Sequence, residues 1–117
     1  MKTVLIADDS AFMRMTIKSL LSKNGFNVIG EAEDGNIAIM KYKELKPDIV
    51  TMDITMPKMS GLEALKKIME YNNEAKVIML TAMGQQDMVV EAIKLGAKSF
   101  IIKPFKEEMV IKTINNI

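Results

Sequence analysis

Apolar and polar positions alternate between two kinds of pattern along this chain. Thr3 to Ala7 is a short unbroken apolar run with β-branched residues. Such a run predicts a strand buried on both faces, since neighbouring strand side chains point to opposite sides of a sheet. Asp48 to Met52, Lys76 to Leu80 and Ser99 to Ile102 predict three more strands. Asn27 to Ala32 is more polar and better suited to a sheet edge. Between these runs, apolar residues recur at helical spacing. The sets are Met13, Ile17, Leu20 and Leu21; Ala38, Tyr42 and Leu45; Leu62, Leu65 and Ile68 or Met69; Met88, Ala92 and Leu95; and Val110, Ile114 and Ile117. Each set places one apolar stripe on one helix face.

The punctuation agrees with this division. Asp9 or Ser10 can cap the first helix, and Asn24-Gly25 stops it. Asp34-Gly35 reads as a turn, Pro47 ends the second helix, Pro57 to Gly61 reads as a loop, and Gly96 closes the fourth helix. Five strand-then-helix units with short connections predict a parallel sheet with helices on both faces. Five units are too few for an eight-unit barrel, so the expected class is α/β, an open doubly wound sheet of flavodoxin-like type. No internal repeat or linker interrupts residues 1–117, which read as one domain. With the fifth helix closing the pattern, no attached effector domain is expected.

Composition narrows the function. Sixteen basic residues against 15 acidic give a net charge of +1, with no basic cluster, so nucleic-acid binding is not expected. There is no Cys, which removes disulfides and thiolate metal sites. No apolar stretch approaches the roughly 18 to 20 residues that span a bilayer, and Met1-Lys2 leads straight into the first strand without signal-peptide architecture. A small cytoplasmic protein without membrane insertion is the expectation.

The strand ends carry the chemistry. Asp8 and Asp9 follow the first run, Asp53 the third, Thr81 the fourth and Lys103 the fifth. In open α/β sheets the ligand crevice lies beyond the carboxyl ends of the strands. Asp8 and Asp9 can share that crevice only where the strand has already ended. Three carboxylates there repel one another, each pair about 4 Å apart costing on the order of 4 kcal/mol at an effective dielectric of 20. Lys103 supplies one positive charge. A hard divalent cation is the natural remainder, because every candidate ligand is an oxygen and the chain has no His or Cys. Taken singly, an Asp after a strand is usually a cap, Thr81 could cap the next helix, and Lys103 before Pro104 could be a solvated loop residue. The combination points to a site.

These residues resemble the receiver domains of two-component response regulators, particularly the stand-alone chemotaxis regulators among them. The resemblance covers essentially the whole length. It rests on Asp8-Asp9, Asp53, Met56-Pro57 with Gly61, Thr81-Ala82 and Lys103-Pro104-Phe105. It implies strand order 2-1-3-4-5. It also implies that Asp53 accepts a phosphoryl group from a histidine kinase. Mg²⁺, with Mn²⁺ as its substitute, would be held by Asp8, Asp9, Asp53 and the backbone carbonyl of Thr55. Thr81 would hydrogen-bond the phosphoryl group, Lys103 would offset its charge, and Phe100 would swing inward as Thr81 moves. Output would pass through the face formed by the fourth helix, fifth strand and fifth helix. The implied partners are a chemotaxis-type kinase, a motor switch protein or archaeal adaptor, and a phosphatase, with the protein itself a monomer and not an enzyme.

Phe100 stands where many relatives carry Tyr, so no phenolic hydrogen bond can hold an inward state. Met83, two residues after Thr81, is expected at the crevice mouth, where an apolar side chain would slow hydrolysis of the phosphoryl group. Met83, Met88 and Met109 are expected on or near the output face, where soft methionine side chains adapt to partners, but methionine is abundant throughout the chain and core packing or composition is the simpler account of all three. Three other functions fit the same fold class. A stand-alone phosphorelay intermediate, passing phosphate between histidines, is the alternative within the family. An aspartyl phosphatase would normally pair its nucleophile with a second Asp two residues on, but Asp53 is followed there by Thr55. A flavodoxin-like carrier would need a phosphate cradle where Asp8-Asp9 would repel the phosphate.

Overall fold

Five strands and five helices form in the predicted alternation. The structure, a computed structural model, describes residues 1–117. In chain order the elements are β1 (Thr3–Ala7), α1 (Ala11–Lys23), β2 (Asn27–Ala32), α2 (Gly35–Leu45), β3 (Ile49–Asp53), α3 (Gly61–Tyr71), β4 (Val77–Ala82), α4 (Gln86–Leu95), β5 (Ser99–Lys103) and α5 (Glu107–Asn115). All five strands join one sheet in the order β2-β1-β3-β4-β5, each pair parallel. The order reverses direction beside β1, between it and β3, which creates the crevice of doubly wound sheets.

Alternation along each strand feeds two cores. Leu5, Ala7, Val50, Met52, Val77 and Met79 face α2, α3 and α4, which contribute Ala38, Tyr42, Ala64, Leu65, Ile68 and Ala92. Val4, Ile6, Ile49, Ile78, Leu80 and Ile101 face α1 and α5, against Ile17, Leu20, Leu21, Val110 and Ile114. Each fully buried Ile or Leu contributes roughly 1.5–3 kcal/mol, so this division fixes which way every strand faces. The Thr51 hydroxyl is buried without a hydrogen-bond partner. An orphan of that kind costs about 1–3 kcal/mol. β5 is covered on one face only: Ile101 is buried, while Phe100 and Ile102 on the other face are 41% and 48% exposed.

Local signals set the entrances to the helices. Ser10, not Asp9, caps α1, accepting from the Met13 N–H at 3.1 Å. Asp34-Gly35 is the start of α2 instead of a free turn. Asp34 is the cap, accepting from Ile37 N–H at 3.0 Å, and Gly35 is the first helical residue. α2 ends on Lys46 in the left-handed region, φ 48°, one residue before Pro47. Gly61 belongs to α3 and not to the preceding loop; Ser60 caps that helix through Glu63 N–H.

Candidate functional site

Asp8, Asp9, Asp53, Thr81 and Lys103 all lie at the carboxyl edge of the sheet. Asp53, Thr81 and Lys103 are last or near-last residues of β3, β4 and β5, and Asp8 and Asp9 directly follow β1. One carboxylate oxygen from each of Asp8, Asp9 and Asp53 lies within 4.8 Å of the others. Lys103 Nζ sits between two of them, 3.0 Å from Asp8 Oδ2 and 3.5 Å from Asp53 Oδ2. Three carboxylates against this one ammonium leave two negative charges when all are ionised.

The three acids differ in environment. Asp8 is buried and committed: Oδ1 accepts from the Ser10 N–H at 2.9 Å while Oδ2 meets Lys103. Its backbone carbonyl accepts from Arg14 Nη1 at 2.6 Å, and Arg14 Nε donates to Glu31 at 3.1 Å, bracing the end of β1 against β2. Asp9 is exposed and has neither a side-chain hydrogen bond nor an ion pair, so capping does not account for it. Asp53 lies between, its side chain 13% exposed. Burial pushes its pKa up; the charges of Asp8 and Asp9 add to this, while Lys103 and the backbone N–H of Thr55 oppose it.

The donor set suits a hard divalent ion. All three side chains offer oxygen, and their residual charge calls for a cation. Oxygens sharing one octahedral Mg²⁺ at about 2.1 Å lie roughly 3–4 Å apart, so a spread within 4.8 Å asks only for small side-chain rotations.

Backbone packing holds Asp53 in place. Gly61 N–H donates to the Ile54 carbonyl at 2.7 Å, and a Cβ on Gly61 would lie 2.0 Å from the Asp53 carbonyl oxygen. Only glycine permits that approach of α3 to the end of β3.

Thr81 is buried but turned to its own loop. Its hydroxyl donates to Gln85 Oε1 at 2.8 Å, and the Ala82 N–H donates to the same oxygen at 2.7 Å. Gln85 Nε2 donates onward to Thr55 Oγ1 at 3.1 Å. Thr81 does not cap α4; Gln85 occupies that cap position, and its side chain makes no capping bond. Thr81 also lines a groove of about 610 Å³ between α4 and β5, with Met83, Val90, Ile93, Phe100 and Ile102. Phe100 and the strongly exposed Met83 therefore stand over this groove, with Phe100 on the outer face of β5.

Nothing in the sequence marks Gln85 or Arg14 as site residues, and Gly61 stands out there only as part of the family resemblance. Glutamine four residues beyond a strand-end threonine carries no recognisable spacing, because the bond depends on how the loop folds back.

The match to known proteins decides the family. Residues 4–115 match the response regulator receiver domain. The chain belongs to that family. This receiver domain is 58% identical to the chemotaxis protein CheY of Thermotoga maritima over 116 residues, covering 99% of this chain and 97% of that protein. It is 58% identical to the chemotaxis protein CheY of Bacillus subtilis over 112 residues, 96% of this chain and 93% of the relative. Among solved structures, the CheX-CheY-BeF3-Mg complex from Borrelia burgdorferi superposes with TM-score 0.95 at 42% identity, covering 98% of the receiver domain and 87% of that chain. No helix of the receiver domain is long and apolar enough to cross a membrane.

Proposed function

We propose that this protein is a stand-alone response regulator of chemotaxis, phosphorylated on Asp53 by a histidine kinase in the presence of Mg²⁺. The observation that carries the reading is the difference among the three clustered carboxylates. Asp8 is locked by Lys103 and Ser10, Asp9 lies exposed at the rim, and Asp53 is largely enclosed with raised basicity. A carboxylate made more basic by burial is the stronger nucleophile once ionised.

In the proposed transfer, an Asp53 oxygen attacks the phosphorus of a phosphohistidine. The new P–O bond forms as the P–N bond breaks, and the electron pair stays on the imidazole nitrogen. Phosphoryl transfer is catalysed mainly by positioning and charge neutralisation. Lys103, already within 3.5 Å of Asp53, offsets part of the incoming charge. Asp8, Asp9, Asp53 and the Thr55 carbonyl are the residues that would hold Mg²⁺, which when bound neutralises the clustered oxygens. Thr81 supplies a hydroxyl to the phosphoryl oxygens. The groove beside α4 and β5, sharing Thr81 with the site, is the proposed output face, with Phe100 as its mobile aromatic.

Kinship with the two CheY proteins supports a chemotaxis kinase upstream and a motor switch protein downstream; both relatives are bacterial, which favours this over an archaeal adaptor. The Borrelia burgdorferi neighbour, in complex with CheX, BeF3 and Mg, supports both the metal and a further protein partner, which we take as the phosphatase. Acetyl phosphate with Mg²⁺ is expected to give an alkali-labile mass gain on the intact protein. The gain should vanish with chelator and in Asp53→Ala. An undiminished gain in that variant would remove the reading.

A further inference from the structure

We propose, on the reading that Asp53 is the phosphoryl acceptor, that Gln85 is an internal latch. Its amide oxygen holds the donors that a phosphoryl oxygen must capture, and phosphorylation works by exchanging one oxygen for the other.

The assignment of the Gln85 amide follows from its neighbours. The Ala82 N–H can only donate, so the group 2.7 Å from it is the amide oxygen. The same oxygen, at 2.8 Å, is the nearer of two acceptors for the Thr81 hydroxyl, the other being the Ala82 carbonyl at 3.2 Å. The nitrogen end then faces Thr55 Oγ1 at 3.1 Å, in agreement with its donor character. One planar amide thus joins the end of β4 to the loop after β3, two residues beyond Asp53.

Exclusivity makes this a switch. A threonine hydroxyl has one hydrogen. While it points at Gln85 it cannot also be donated to a phosphoryl group on Asp53. The Ala82 N–H is likewise single, and it is aimed at the same acceptor as Thr81. Any phosphoryl oxygen that takes both donors has to evict Gln85 Oε1. A charged phosphoryl oxygen is the stronger acceptor, which gives the exchange its direction.

Release reaches the groove because Gln85 is also the first residue of the turn that opens α4. Its backbone carbonyl accepts from Met88 and Val89 at 3.0 and 3.1 Å, while its side chain caps nothing. Gly84, immediately before it, has φ +91° with open space around its Cα. Gln85 is itself only partly buried and its neighbours Met83, Gly84 and Gln86 are exposed, so solvent lies beside the latch for the side chain to swing into. In the latched state it ties the α4 entrance, and with it the wall of the groove containing Met83 and Val89, to β4.

The test uses beryllofluoride with Mg²⁺ as the phosphoryl mimic, titrated by calorimetry, with thermal unfolding as the folding control. Gln85→Met keeps the length and removes the acceptor; it is expected to bind beryllofluoride about three- to tenfold tighter, one hydrogen bond's equivalent. Gln85→Glu presents a charged acceptor to the same donors and repels the anion, so it is expected to bind at least about tenfold weaker. A residue with only a packing role would not give opposite signs. In the wild type, NMR should show the Gln85 side-chain NH₂ and Ala82 N–H resonances shifting together on beryllofluoride addition. A wild type that responds while Gln85→Met binds no tighter, or while the Gln85 NH₂ signals stay still, would overturn the latch alone. A wild type with no Asp53-dependent response would remove the acceptor reading and the latch with it.

Discussion

Asp53 is held against the preference of a carboxylate for water. Burial, then the charges of Asp8 and Asp9, hold its proton on more tightly than in the unfolded chain, where the ordinary value is 3.8. The folded state therefore binds more protons than the unfolded state as pH rises from that value. Stability falls through this window, and the penalty is fully present above the folded-state pKa. Asp53→Asn removes the ionisation. In chelator, urea titrations should show the variant gaining stability over wild type as pH rises from acid to neutral, then levelling. A difference independent of pH would contradict this account. The same residue thus trades stability for nucleophilicity, and Lys103 at 3.5 Å limits the cost without abolishing it.

The elements act as rigid supports, and their junctions are where the site is most vulnerable. α3 begins so close to the end of β3 that a Cβ on Gly61 would meet three backbone atoms of Asp53 and Ile54 at 2.0–2.9 Å. Backbone cannot step aside as a flexible side chain can. Gly61→Ala is expected to cost about 3 kcal/mol or more, at the upper end of overpacking, and to displace Asp53, slowing phosphorylation. Gly25→Ala is the control: its φ of +87° is strained for alanine, but nothing crowds the added carbon. It should cost only about 1–2 kcal/mol and leave phosphorylation unchanged. Urea unfolding and acetyl phosphate kinetics on both variants separate strain at the site from strain elsewhere. At this scale the sequence also misleads in small ways. Asp34-Gly35 reads as a turn because its residue types suit one, yet Asp34 caps α2 and Gly35 starts it, against the Met59 carbonyl.

In the whole molecule, a near-neutral chain concentrates two unbalanced negative charges at one edge of its sheet. A cation that binds only the folded state stabilises it by mass action, about 2.7 kcal/mol at a hundredfold excess over Kd. For a domain of this size that is a rise in Tm on the order of 10 °C. Mg²⁺ at matched ionic strength should raise Tm over chelator, and Asp9→Asn should reduce the rise. An equal Tm in both conditions would mean the cluster does not bind Mg²⁺. By itself the sequence determined the five strand–helix units, because apolar period reports locally which face of each element is buried. It also marked Asp8, Asp9, Asp53, Thr81 and Lys103, because a polar residue ending an apolar run is visible without coordinates. Strand order came from family resemblance, since local periodicity does not say which strands pair. Only the tertiary structure decided that Asp8 rather than Asp9 pairs with Lys103, that α4 leaves the outer face of β5 open, and that Gln85 folds back onto Thr81 and Ala82. Each depends on angles and distances between segments far apart in the chain or on the path of a loop, and periodicity along a sequence encodes neither.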